Sequence, residues 1–517
     1  MLILLIGFII SRALFYQVAP FRFNTLSFYM QYLDPDILRY DLWNGLWHLH
    51  AQPPLFNLFL GLVLKLSPSG LEARVFAALY SGMGIVIMLA GYVLMRYLRV
   101  SKGIALAVSM LFMLFPPVIQ GERWLFYPYP LAMVLLLSAI FLYWFMDSKK
   151  VTYLTLFLAA VAAIVLSRSF FHVIFWMLPI VIMTLFMAVF RADQSQRRRF
   201  WLYLGISIFF LLISSSIYIK NYLQYGLFTS STWQGMNLAG MTGFVNQADI
   251  EKLISSGEVT PLARIPRFSP PDVYYSYYGY YDMPQSQPEI RALDEAIKPS
   301  GAINGNNRIY AKASKEYQQN TLTILSHYPL SYLKAIINEV YIFFGFAPYR
   351  FFWNYSEWGS IQKDTLLHIA NDIGLLYAIP FFLACIFIMG GWTMTAELRR
   401  QYKQHVQHEQ HEQHGQHGQH GQDSHQHNQP VRGNKTTTVS QAALAGKSAP
   451  LPVYAYILFN LIYVFAVANM IEFGEGCYMR MPVDPFLAIG LALALDRIIH
   501  RDRLRSTRRG NYQTTQG

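Results

Sequence analysis

Long stretches without Asp, Glu, Lys or Arg constrain this chain most: 83–94 and 171–190 are two of many apolar runs along its 517 residues. Runs of that kind are long enough to lie in a bilayer, and a water-soluble core does not need so many of them. Lys and Arg sit in short clusters between these runs and near the C-terminus. The net charge of +12 therefore reads as membrane topology and not as a nucleic-acid surface. Two cysteines, Cys385 and Cys477, make a disulfide framework unlikely to organise the fold. Residues 2–18 lack a basic leader and a small-residue cleavage site, so they are expected to stay as a helix.

The apolar segments are 1–19, 53–66, 73–98, 103–119, 130–146, 151–166, 170–190, 200–219, 328–346, 366–391, 451–469 and 483–495. Segment 53–66 is short for a span, the length of an interfacial or re-entrant piece. Placing it on the outer surface puts Arg96, Arg99 and Lys102, Lys149 and Lys150, and Arg191 with Arg197, Arg198 and Arg199 on one face. The positive-inside rule selects that arrangement, with a cytoplasmic N-terminus. Segment 328–346, broken by Pro329 and followed by Pro348, is then a second outer interfacial helix. The expected fold is an all-α polytopic membrane protein of about ten spans, within a range of about nine to twelve.

The domain plan follows. Residues 1–219 form the transmembrane core, with an acidic first outer loop over about 21–71, and 220–365 form a large extracytoplasmic loop. One span covers 366–391, a polar linker 392–450, a final hairpin 451–498 and a basic cytoplasmic tail 499–517. The linker carries His405, His408, His411, His414, His417 and His420 in a low-complexity repeat that sets no fixed coordination geometry. Localisation in a cytoplasmic membrane, with the polar loops outside, is expected.

The informative loop reads Asp34-Pro35-Asp36-Ile37-Leu38-Arg39-Tyr40-Asp41 and continues to Trp47-His48-Leu49-His50-Ala51-Gln52-Pro53-Pro54-Leu55. Asp34 before Pro35 predicts a helix start, with Asp as N-cap and Pro at N1. On one continuous helix Asp34, Asp41 and His48 share a face. Capping and the helix dipole explain Asp34 and Asp36 as well as catalysis does. Asp41, between Tyr40 and Trp43, is expected in mid-helix. Asp34-Pro35-Asp36 also has a form that can hold a divalent metal, and metal dependence stays open.

With these residues the chain resembles the membrane glycosyltransferases of the C-type fold: the protein O-mannosyltransferases, the lipid A aminoarabinose transferases and the related lipopolysaccharide-core transferases. The resemblance rests on an outer loop with an acidic motif followed by Gln52-Pro53-Pro54-Leu55-Phe56-Asn57. The Asp-Glu-x-Arg-Tyr of the aminoarabinose transferases is matched at Asp36, Arg39 and Tyr40, with Ile37 in place of the second acid. Glu122-Arg123-Trp124 through Tyr127 to Leu131, and Glu475 through Arg480 to Pro485, extend the likeness.

The resemblance implies inverting transfer of a sugar from a polyprenyl-phosphate donor to a glycan, lipid or protein acceptor at the membrane lipid surface. Such a reaction needs a carboxylate base, assigned to Asp36 or Asp34 with Asp41 third, and cations for the departing phosphate. The cationic candidates are Arg39, Arg123, Arg168, Lys220, Arg350 and Arg480, with Arg480 and Arg123 favoured beside an acid and an aromatic ring. His48 and His50 are expected to orient the acid or touch the acceptor, or simply to pack at the interface. Substrate contacts are further expected from Tyr40, Gln52, Glu122, Tyr127, Trp233, Asn237 and Glu475, with a cluster from Tyr274 to Tyr281 suiting sugar faces or an interfacial belt. A lipid or sugar transporter and a non-catalytic assembly protein are the rival readings; most acids lie in loops, Arg12 being the exception among the charges.

Overall fold

The computed structural model describes residues 1–16, 20–189, 199–279, 290–344 and 451–513. Among them every named element is helical, and the only strand-like pairings are isolated bridges, Arg22 with Trp124 and Ile297 with Ile303. Span 366–391, Cys385, Arg350, Tyr280, Tyr281 and the histidine repeat lie outside the described residues.

The chain opens with α1 (Leu2–Tyr16) and the short helices α2 (Thr25–Phe28), α3 (Pro35–Tyr40) and α4 (Leu42–His48). Then come α5 (Pro54–Leu66), α6 (Glu72–Tyr97), α7 (Lys102–Leu114), α8 (Pro116–Glu122), α9 (Pro128–Ser148) and α10 (Val151–Val165). A π-helical turn, Val173–Met177, leads into α11 (Leu178–Val189), followed by α12 (Phe200–Tyr225). Among the described residues four helices are long and apolar enough to cross a membrane: α6, α9, α12 and Leu451–Met470. The other apolar helices, α1, α5, α7, α10 and the stretch Val173–Ala188, are shorter.

Helix α9 is the axis of the bundle. It packs on α6, α10 and Leu451–Met470, and 61% of its span window is buried, against 28% for the edge helix α12. A helix apolar all round is one surrounded by other helices. The segment 103–119 is two helices, because Phe115 is extended and Pro116 opens α8 at N1. Proline lacks the N–H that a continuing helix needs and restricts the residue before it.

The second polar region is built from α13 (Gln234–Ala239), α14 (Gln247–Ser255), α15 (Pro271–Tyr278), α16 (Arg291–Asp294), α17 (Ile309–His327) and α18 (Pro329–Phe344). Its centre is the contact of α13 and α15 with α17. The tyrosines of α15 bind it together: Tyr277 and Tyr278 donate to the two carboxylate oxygens of Glu316 at 2.8 and 2.9 Å, and Tyr275 donates to Asn307 at 2.7 Å. The chain closes with α19 (Leu451–Met470), α20 (Gly476–Arg480) and α21 (Asp484–Gln513).

One expectation about the acidic loop is corrected. It is not one helix: Asp41, at φ −132° and ψ 41°, ends α3 and begins α4, so Asp34, Asp41 and His48 do not share a continuous helical face. Both short helices turn apolar residues, Ile37, Leu38, Leu42 and Leu46, inward and lie against α5. Gly61 on α5 allows the approach, since a Cβ there would meet Leu42 at 2.4 Å. Packing both helices on α5 outweighs the few hydrogen bonds an unbroken helix would add.

Candidate functional site

Asp34 caps α3 as its sequence suggests, its carboxylate accepting the Asp36 N–H at 2.9 Å with Pro35 at N1. It is buried, and Lys298 faces it while donating Nζ to the carbonyls of Tyr29 at 2.7 Å and Tyr32 at 2.6 Å. Burial raises the Asp34 carboxyl, opposed by the Asp36 amide and Lys298. Burial also lowers the Lys298 amine to about 8, with Asp34 opposing. Asp36 points to solvent and accepts no hydrogen bond among the described residues. Asp41, also exposed, accepts from Asn44 Nδ2 at 2.9 Å. Arg39 is paired with Glu72, and Tyr40 is exposed.

Four segments singled out in the sequence meet around this loop. The Leu33 N–H reaches Asn57 Oδ1 at 2.9 Å, which ties the acidic motif to the Pro-Pro-Leu helix. Tyr32 and Thr25 donate to the Leu125 carbonyl at 3.1 and 3.3 Å, and Trp124 Nε1 donates to Tyr29 Oη at 2.6 Å. Trp124 in turn meets the Tyr478 ring edge-on at 5.2 Å. Gln52 accepts from Ser169 at 3.3 Å, and the neighbouring Arg168 lies over the Tyr127 ring at 4.2 Å and faces Glu475 at 3.5 Å.

The cations differ in what they are free to do. Arg480 is committed, donating Nε to Asp484 at 2.9 Å and Nη1 to the Phe343 carbonyl. Lys220 donates to the Leu49 carbonyl. Arg123 is 2% exposed, lies 4.2 Å over the Tyr16 ring, and none of its three guanidinium nitrogens has a hydrogen-bond partner among the described residues. Burial without a hydrogen-bond acceptor opposes its charge, while Glu122 and Tyr16 favour it. Glu122, next to it, is fully engaged by Arg12, Ser81 and Tyr129.

Other expected contacts have structural employment. His50 is fully buried, its Nδ1 2.7 Å from Thr232 Oγ1 and its ring 4.4 Å from Tyr225. Burial, then Lys220, pushes its imidazole down to about 3. His48 Nδ1 stays within its helix, 3.0 Å from the Asn44 carbonyl. Trp233 is buried, with Nε1 donating to the Gly305 carbonyl at 2.8 Å. Asn237 donates to Glu472 at 3.1 Å. Among the described residues no group of three His, Cys, Asp or Glu side chains is arranged to hold a metal ion.

Sequence reasoning passed over Glu472, Lys298, Arg267 and Glu339. Glu472 and Glu475 flank Phe473-Gly474 just after an apolar run, a local signal that was open to reading. The others gain their meaning only from partners distant in the chain. No family model, no curated protein and no solved structure matches this chain.

Proposed function

We propose that this chain is a C-type membrane glycosyltransferase that moves a sugar from a polyprenyl-phosphate donor to an acceptor hydroxyl at the extracytoplasmic face, with inversion. The proposed topology is the ten-span arrangement with α3 to α5 lying outside. The observation that carries the reading is Arg123, a buried guanidinium with no hydrogen-bond acceptor among the described residues. Its carbonyl takes the Arg22 N–H at 2.8 Å at the start of the loop in which Asp36 is exposed and, among the described residues, accepts no hydrogen bond. A phosphate supplies what Arg123 lacks, and planar guanidinium groups suit phosphate oxygens.

In the proposed step, Asp36 takes the proton of the acceptor hydroxyl as that oxygen attacks the anomeric carbon. The bond from the anomeric carbon to the phosphate oxygen breaks, and the phosphate leaves with the electron pair toward Arg123. Asp34 holds Asp36 by its cap bond and serves as the second candidate base.

One observation favours the rival transporter reading: Arg12 and Glu122 form a buried ion pair at 2.7 Å within apolar helices, and such charges often mark a transport path. Both readings are tested by reconstituting the full chain with a labelled polyprenyl-phosphate sugar and scoring transfer and flipping together. Asp36→Asn is expected to slow transfer by about 10²- to 10⁴-fold. Unchanged transfer in Asp36→Asn, Asp34→Asn and Asp41→Asn would sink the base assignment, and flipping without transfer would select the transporter.

A further inference from the structure

A second group of charged side chains lies where the loop after α19 meets α18. Glu472 accepts from Asn237 Nδ2 at 3.1 Å, and Arg168 and Arg267 both face it. Arg168 reaches Glu475 only at 3.5 Å, and Glu475 remains exposed. Arg267 donates Nη2 to the Phe473 carbonyl at 3.1 Å. Gly474, at φ +85°, makes the turn that brings Glu472 and Glu475 to the same place.

An independent observation comes from α18. Glu339 is wholly buried and its carboxylate faces Gly474 and Arg267. Oε1 accepts from Asn338 at 3.3 Å, whereas Oε2 has no partner among the described residues. The Gly474 N–H and Arg267 partly offset its charge, and an Oε2 left without a hydrogen bond at that depth calls for a donor.

We propose that Glu339, Glu472 and Glu475, with Arg168, Arg267 and Asn237, form the subsite for the acceptor, and that the acceptor is a carbohydrate. The inference rests on the transferase reading. The array sets carboxylates that accept beside guanidinium groups that donate, with the Asn237 amide able to do either, and a sugar's vicinal hydroxyls do both. A phospholipid would bring a phosphate against three carboxylates. A peptide would bring one acceptor hydroxyl and backbone N–H and C=O groups spaced along its chain, where a sugar sets its hydroxyls side by side on one ring.

Burial, and then Glu475, raise the Glu472 carboxyl, which agrees with a site completed by a neutral donor.

The test uses the full chain in nanodiscs with a labelled polyprenyl-phosphate sugar. Oligosaccharide released from cell envelopes, a Ser/Thr-rich peptide and phospholipid vesicles are offered separately. Transfer to the oligosaccharide is expected. Glu472→Gln should raise the acceptor KM about 10- to 100-fold, the loss expected of a hydrogen bond to a charged group, with the donor KM changed less than about 2-fold. Glu472→Asp should recover part of this, and Glu339→Gln should raise the acceptor KM about 10-fold. If Glu339→Gln fails to fold, Glu475→Gln at its exposed position carries the second arm. Transfer confined to peptide or vesicle, an unchanged acceptor KM in the variants, or donor and acceptor KM rising together would overturn the subsite and leave the transferase reading standing. No transfer by the wild type to any acceptor would overturn both.

Discussion

Glu122 and Arg123 are neighbours in the chain, both are buried, and their surroundings could hardly differ more. Glu122 receives Arg12 Nε and Nη2 at 2.9 and 2.7 Å, Ser81 at 3.1 Å and Tyr129 at 3.2 Å. Arg123 has the Tyr16 ring and no hydrogen bond among the described residues. The first is a closed account of donors and acceptors that ties α1, α6, α8 and α9 together. The second has Glu122 as a neighbouring opposite charge but no hydrogen-bond acceptor among the described residues. A buried charge that is satisfied argues for structure, and one that is not argues for a ligand.

Removing each in turn separates these roles. Glu122→Ala strands Arg12, so a loss of about 3–5 kcal/mol in folding stability is expected. It should be read as a lowered melting temperature of the protein in detergent. Arg123→Met should leave melting unchanged or raise it, because the variant no longer buries an unpaired cation. Its transfer rate should fall about 10²- to 10³-fold, as when one transition-state donor is deleted. If Arg123→Met destabilised the chain as much as Glu122→Ala, the contrast between the two residues would be false.

What the sequence makes legible follows the distance between partners. The cap of Asp34 with Pro35 and the start of α5 at Pro54 are local, so both are readable. The break at Asp41 is not, since no Gly or Pro marks it and the cause is the packing of Ile37, Leu38 and Leu42 against α5. Among the described residues four helices reach membrane-spanning length and apolarity and others are shorter, and Pro116 divides segment 103–119 in two, a break that charge patterning does not show. The motifs put the acidic loop, Glu122–Leu131 and Glu475–Pro485 on one expected face, whereas the contacts of Thr25 and Tyr32 with Leu125 and of Trp124 with Tyr478 come from packing. Arg12 finds Glu122 across 110 positions of sequence, and nothing local to either residue encodes it.

His50 is intermediate between Glu122 and Arg123: its Nδ1 is 2.7 Å from Thr232 Oγ1, and its buried Nε2 is without a hydrogen-bond partner among the described residues. Its imidazole has a folded value near 3, below the ordinary 6.5, because burial and Lys220 oppose the charged form. The unfolded chain therefore binds the proton more tightly. The stability His50 contributes is complete above about pH 6.5 and is lost as pH falls toward 3. Between pH 7 and pH 5 this amounts to about 2 kcal/mol. His50→Gln retains a partner for Thr232 without the titration, so its melting temperature should fall less over that interval than that of the wild type. Equal slopes would mean that the imidazole is reached by water.

Trp233 gives the smallest effect and decides on which side of the comparison an aromatic belongs. Its indole suits a sugar face, yet it is buried, packs edge-on with Phe268 at 5.0 Å, and donates to the Gly305 carbonyl at 2.8 Å. It therefore stands with Glu122, its donor already spent inside the fold. Trp233→Phe keeps a ring against Phe268 and loses the bond, so about 1 kcal/mol of stability should go. Both KM values should stay within about 2-fold of the wild type, the range in which no hydrogen bond to substrate has been lost. A raised acceptor KM with unchanged melting would move Trp233 to the side of Arg123, as a ring that waits for substrate.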